Sequence, residues 1–258
     1  MRGMTSVVIA CGEAEIDAVM ALAAFADLAG VEESKGQLRL WLNDDGEAAA
    51  LAERLRAWHP AIERAEARNW NEAWQGEWKP AEVGERFYLV PPGDDSPARD
   101  GRIRLAMHAG TAFGNGDHAT THLCLMAMER YLRPGDTFLD VGCGSGLLGE
   151  AARALGAGRV AGCDLDPAAV RRGSFVGSVN AVRSASCDFV VANIQLGVLV
   201  ELMPAFARVL RANGRLILSG VLDEQLADLR EAVEAAGLIP SASDSLAGWA
   251  SLLVSRRD

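Results

Sequence analysis

The residues best suited to chemistry are clustered in Asp140-Val141-Gly142-Cys143-Gly144-Ser145-Gly146, an acid followed by three glycines at alternate positions. Glycines spaced by one residue let a backbone turn sharply and let a ligand approach with no Cβ in the way. The run before them, Phe138 to Val141, is strand-like, and Leu147 to Leu155 has helical composition. A glycine turn between a strand and a helix is the layout of a nucleotide-type site. The dinucleotide fingerprint G-x-G-x-x-G fits poorly, because its third glycine would fall at position 147, which is Leu147. Asp164 stands 22 residues after Gly142 and follows a second strand-like run, Arg159 to Cys163. At that distance a carboxylate can accept hydrogen bonds from the two adjacent hydroxyls of a ribose. Asn193 ends a further strand-like run, Cys187 to Ala192. It is placed where strand carboxyl ends open onto a crevice and could accept hydrogen bonds from an incoming amine; the alternative is a buried amide serving only its backbone neighbours.

These residues need a parallel sheet to bring them together. From Thr137 the chain alternates strand and helix: Phe138 to Val141, helix Leu147 to Leu155, Arg159 to Cys163, Phe175 to Val179, Cys187 to Ala192, helix Leu196 to Leu210, Arg215 to Val221, helix Glu224 to Ala236, and a last strand Ala250 to Val254. This predicts an α/β fold with a doubly wound sheet. Only Leu165 to Ser174 joins the second and third strands, the lower limit for a crossover that contains a helix. Ahead of the sheet, Arg102 to Met107 leads into the glycine-rich loop Gly110 to Thr121, with Thr120 or Thr121 as N-cap of a helix running through Leu132.

The N-terminal part reads as a small α+β unit: strand Ser6 to Ala10, helix Glu13 to Leu28, a hairpin of Val31 to Ser34 with Gln37 to Leu42, and helix Glu47 to Trp58. Trp70, Trp74 and Trp78 recur at helical spacing, which suits a packed stripe or a platform facing substrate. Arg86 to Val90 is strand-like, and Pro91-Pro92-Gly93-Asp94-Asp95-Ser96-Pro97 breaks the pattern. The expected division is therefore residues 1–92, a linker over 93–101, and residues 102–258.

Half the residues are hydrophobic, enough for a substantial core, and the net charge is −10. Residues 1–92 hold 9 basic and 16 acidic side chains, so most of the acidity lies there. That disfavours a direct nucleic-acid partner and suits a basic protein or peptide. The five cysteines form no C-x-x-C pair, and His118 and His122, four apart, could hold a metal only with a third ligand nearby; no metal is expected. No apolar run reaches membrane-spanning length, so a cytoplasmic protein without membrane contact is expected.

The glycine turn, the distant acid and Asn193 together resemble class I S-adenosylmethionine-dependent methyltransferases. The segments Ala112 to Thr121, Asp140 to Leu148, Asp164 to Pro167, Val190 to Ile194 and Leu218 to Leu222 are similar to the PrmA family, which methylates amino groups of the eleventh large-subunit ribosomal protein. Trp70, Trp74, Trp78, Pro80 and Gly84-Glu85-Arg86 resemble the stretch before that family's catalytic domain, whereas the first 68 residues match only in size and pattern. The resemblance implies a Rossmann-like methyltransferase domain after a substrate-recognition domain, with S-adenosyl-L-methionine as cofactor. It implies cofactor contacts from Thr121, Asp140, Gly142, Gly144, Asp164 and Asn193, and catalytic roles for Asn193 and Phe113. A large-subunit ribosomal protein is the implied substrate, methylated on lysine or N-terminal amines. A small-molecule methyltransferase, or a weakly active cofactor-binding protein of ribosome assembly, is the alternative. The chain departs from the family in its short segment after Asp164, where adenine contacts near Ser178 and Asn180 are expected, and in Gln195 where the family has leucine.

Overall fold

The computed structural model describes residues 4–65, 79–107 and 116–256, apart from positions 13, 14, 17, 18, 20, 21, 24, 25, 27, 35, 43, 171 and 172. The chain divides into two compact units, Met1–Gly76 and Glu77–Asp258.

In the first unit, strands β1 (Met4–Ala10), β2 (Leu28–Ser34), β3 (Gln37–Leu42) and β4 (Ala61–Ala65) form an antiparallel sheet in the order β2-β3-β1-β4. Period-two alternation turns Val7 and Ile9 of β1, and Leu38, Leu40 and Leu42 of β3, into one core with Ala48 and Leu51 of helix α1 (Asp45–Arg54). Asp44 starts α1 by accepting from the Gly46 and Glu47 amides at 2.8 and 3.0 Å. β2 begins at Leu28, three residues ahead of the expected Val31, because its pairing with β3 continues to Leu42.

The second unit holds a small sheet, β5 (Ala81–Val83), β6 (Phe87–Val90) and β7 (Ile103–Ala106), and a seven-stranded one. The large sheet contains β8 (Thr137–Val141), β9 (Arg159–Asp164), β10 (Ser174–Val176), β11 (Cys187–Asn193), β12 (Leu210–Leu222), β13 (Leu238–Leu246) and β14 (Trp249–Arg256), ordered β10-β9-β8-β11-β12-β14-β13. The first five of that order are parallel, and β14 runs antiparallel to both its neighbours. Helices α2 (Ala119–Tyr131) and α3 (Leu147–Ala154) cover one face, where Phe138, Phe189, Val191 and Ile217 point. Helices α4 (Leu196–Val209) and α5 (Leu226–Ala235) cover the other, over Leu139, Val141, Val190, Ala192 and Leu218. The expected doubly wound α/β fold is observed.

Several expectations differ from the structure. The boundary falls at Gly76, not after Pro92, because Phe87 and Leu89 are fully buried in the second unit's core. Glu129 of α2 also accepts from the Glu85 and Arg86 amides at 3.1 and 3.0 Å, tying the β5–β6 turn to that unit. The third strand of the large sheet is Ser174–Val176, not Phe175 to Val179, because Gly177 turns off to donate its amide to the Asp164 carbonyl at 2.8 Å. β13 was not expected, its Ser-Ala-Ser-Asp-Ser sequence being that of an exposed edge. The tryptophan stripe and much of the helix expected over Glu13 to Leu28 lie outside the described residues.

Candidate functional site

The parallel strands carry Val141, Asp164 and Asn193 to the same edge of the sheet, since β8 pairs with β9 through Val141 and Cys163 and β11 with β12 through Asn193 and Ser219. The glycine turn begins where β8 stops. Gly142 has φ +72°, and a Cβ there would stand 2.5 Å from Ile194 Cγ2, so the turn lies directly against the residue after Asn193. Gly220, φ +87°, closes on Ile194 from the β12 side, where a Cβ would meet the Ile194 carbonyl oxygen at 2.6 Å. Ile194, the residue after Asn193, is thus held between two glycine backbones.

Asp164 organises the turn directly. Its Oδ2 accepts from the Gly144 amide at 2.8 Å and its Oδ1 from the Asp166 amide at 3.0 Å. Each carboxylate oxygen retains a second acceptor direction, so both can still receive a hydroxyl. Asp166 caps the next turn by accepting from the Ala168 amide at 2.8 Å, with Pro167 in first position as expected. Among the described residues of the crossover to β10, only that single 3-10 turn, Pro167–Ala169, is helical. The segment beyond β10 is nonetheless held. Ser178 accepts from the Asn180 amide at 3.2 Å, and Arg208 of α4 donates to the carbonyls of Val182, Val179 and Asn180 at 2.6, 3.1 and 3.3 Å.

Thr121, Gly142, Cys143, Ser145 and Asn193 line one small pocket of about 30 Å³. Thr121 is 1% exposed and its Oγ1 has no hydrogen-bond partner. It is not the N-cap of α2, and neither is Thr120: His118 takes that place, accepting from the Thr120 amide at 3.3 Å. An inward-facing hydroxyl left without a partner is a place for a polar ligand group. Burial lowers the pKa of His122, whose Nε2 donates to the Gly116 carbonyl at 2.9 Å. The His118 ring meets Trp249 edge-on with centroids 4.8 Å apart. Trp249 pairs with Leu222 where β12 ends, and no motif marked it because it begins an antiparallel strand.

Asp140 is placed differently. Its side chain lies on the α2 and α3 face and lines a separate, larger cleft with Val160, Gly162 and Ser174 rather than the pocket of Thr121 and Asn193. It is 1% exposed with both oxygens unpartnered, and burial, with Asp164 nearby, pushes its pKa up to about 7. Burial likewise raises Cys143 to about 11 and Cys163 to about 12, so both remain neutral thiols. Phe113 lies outside the described residues. Among the described residues no three His, Cys, Asp or Glu side chains gather as a metal site, and no helix is long and apolar enough to cross a membrane.

A sequence model described as Ribosomal protein L11 methyltransferase (PrmA) matches residues 41–257. The chain belongs to the PrmA family. The Ribosomal protein L11 methyltransferase of Pelotomaculum thermopropionicum is 40% identical over 198 residues, 71% of this chain and 64% of that one. That of Methylobacillus flagellatus is 35% identical over 232 residues, 84% of this chain and 78% of its own. A crystal structure of ribosomal protein L11 methylase from Lactobacillus delbrueckii subsp. bulgaricus superposes with a TM-score of 0.64 at 26% identity, covering 70% of this chain and all of that one. Against the Pelotomaculum relative, this PrmA family member spans less than two thirds of the relative's length. The family match begins at Trp41 and so takes in β4 and the tryptophan segment as well as the second unit.

Proposed function

We propose that the chain is an S-adenosylmethionine-dependent protein N-methyltransferase acting on lysine or N-terminal amines of a large-subunit ribosomal protein, L11. The observation that carries this reading is the meeting of the unpartnered Thr121 hydroxyl, the Gly142 turn and Asn193 in one pocket beside Asp164. These residues fit the cofactor. Thr121 would bind its amino-acid end, Gly142 and Gly144 would admit the methionine part, and Asp164 would accept the ribose hydroxyls. The adenine would lie near Ser178 and Asn180.

When bound, the cofactor supplies a methyl group on a positively charged sulfur. Asn193 accepts hydrogen bonds from the substrate amine and aligns its lone pair for in-line attack, and alignment of this kind is the main source of rate for such a displacement. The amine must arrive neutral, so apolar walls that disfavour an ammonium assist it, and Phe113 is proposed as one of them. The first unit is proposed as the substrate-recognition domain, and the location as cytoplasmic. Incubation with labelled methyl donor and ribosomal extract tests the reading: a labelled band at L11 is expected, and label appearing only in small molecules would overturn it.

A further inference from the structure

The first turn of α2 closes on one residue. The His118 carbonyl accepts from the Thr121 and His122 amides at 3.0 and 3.2 Å. Its ring Nδ1 lies 3.3 Å from the Thr120 amide and 2.8 Å from the Thr120 hydroxyl. An amide N–H can only donate, so Nδ1 is an acceptor and the hydroxyl donates to it as well. Two neighbouring buried threonines are thereby distinguished. Thr120 has its hydroxyl satisfied by the ring, whereas the Thr121 hydroxyl has no partner and belongs to the pocket of Gly142 and Asn193. Successive residues of a helix lie about 100° apart, so the rotation at which α2 starts decides which of the two hydroxyls enters the pocket. The ring is itself fixed from its other side. It meets Trp249 edge-on, with centroids 4.8 Å apart and planes at 72°, and Trp249 pairs with Leu222 at the end of β12. Ser219 of that strand pairs with Asn193. One imidazole therefore ties the start of α2 to the strand beside Asn193.

We propose that His118 is a positioning residue for the methyl donor: by capping α2 through Nδ1 it sets the rotation that turns the Thr121 hydroxyl toward the donor's amino-acid end. The inference rests on the reading of the pocket as the cofactor site. His118 is not one of the residues lining that pocket, so its effect passes through Thr121. A serine, threonine, aspartate or asparagine cap would satisfy the Thr120 amide equally well. What the imidazole adds is a ring for Trp249, which relates the cap to β12 and β14 as well as to its own helix. The acceptor is the part that acts on Thr121, and the ring contact locates the acceptor.

The test is calorimetric titration of S-adenosylhomocysteine into the full chain and five variants, at a temperature where thermal melting shows all of them folded. Thr121→Ala should weaken binding by about tenfold or more, since a hydrogen bond to a charged group is lost. His118→Ala should weaken it by about fivefold to tenfold, the loss of the cap falling on the pocket. Combining the two should cost no more than Thr121→Ala alone, because with the hydroxyl gone nothing remains for the cap to position. His118→Asn keeps an acceptor for the Thr120 amide and should bind within about threefold of the wild type. His118→Phe keeps a ring against Trp249 without the acceptor and should be as weak as His118→Ala. The role is overturned by unchanged affinity in His118→Ala, by additive losses in the double variant, or by tighter binding in His118→Phe than in His118→Asn. A wild type that does not bind S-adenosylhomocysteine would instead overturn the reading of the pocket, and the role of His118 with it.

Discussion

Relative to the wild type, Asp140→Asn should gain stability in the second unit as pH rises. In the folded chain the Asp140 pKa is pushed from 3.8 to about 7 by burial and by Asp164. Between those two values the folded state holds a proton that the unfolded state has released, so stability falls as pH rises. The loss is near zero below about pH 3.8, accumulates up to about pH 7 and then levels off. A shift of about three units at 1.36 kcal/mol each makes the full loss about 4 kcal/mol. Asparagine keeps the shape but cannot ionise, and its amide, also without a partner, lowers stability by about 1–3 kcal/mol at every pH. That offset is constant, so the diagnostic quantity is how the difference between the two proteins changes with pH. All other titrating groups are common to both and largely cancel. Hydrogen exchange of β8 amides, followed by mass spectrometry on the ligand-free chain from pH 4.5 to 8, reads the opening free energy where the substitution lies. The difference should move in favour of the variant by roughly 2–3 kcal/mol across that range. A flat difference, or one moving the other way, would show that Asp140 is solvated or paired in solution and would refute the burial argument.

Gly220→Ala should abolish methyl transfer to L11 while leaving a folded chain, since a Cβ at φ +87° would strike the Ile194 backbone at 2.6 Å and push Asn193 out of place; near-normal turnover in the labelled-methyl assay would contradict this. Asp164→Ala should weaken S-adenosylmethionine by about a hundredfold in calorimetry, removing the acceptor that also anchors the Gly144 amide at 2.8 Å, and unchanged affinity would sink the site assignment. Arg208→Met should loosen residues 179–182, whose carbonyls it holds, and raise the cofactor dissociation constant by about tenfold with a smaller effect on turnover at saturation. A reduced turnover with unchanged cofactor affinity would show that this segment does not face the adenine.

The sheet was legible because its chemistry and its periodicity agree. Phe138-Leu139-Asp140-Val141 must be buried on both faces, and the glycine turn and Asp164 follow at the spacing that a strand-helix-strand unit imposes. Helices α3 and α4 were read within one residue of their ends. Asp140 was harder to place, since its position beside the turn suggests a ligand contact while strand alternation sends its side chain to the face opposite Leu139 and Val141. The start of α2 was misread for a related reason: Thr120 and Thr121 are good capping residues, but the imidazole of His118 caps the helix and leaves the Thr121 hydroxyl turned inward. The domain boundary was misplaced because a proline-rich stretch is a local signal, whereas membership of a unit is decided by what Phe87 and Leu89 pack against.

The short crossover links these observations. A parallel β9–β10 pair can be joined by nine residues only if the chain leaves β9 in a tight turn, and Asp164 makes that turn by accepting from the Asp166 amide while its other oxygen holds Gly144. One side chain therefore fixes both the glycine turn and the start of the shortened connection. Past β10, Gly177 returns its amide to the Asp164 carbonyl and Arg208 reaches across from α4 to hold residues 179–182, work that involves no contact with a crossover helix. The strand ends that form the proposed cofactor pocket are thereby kept independently of the α2 and α3 face. Asp140 lies on that face, buried with neither oxygen hydrogen-bonded. The pH dependence of stability rests on its unmet need for donors.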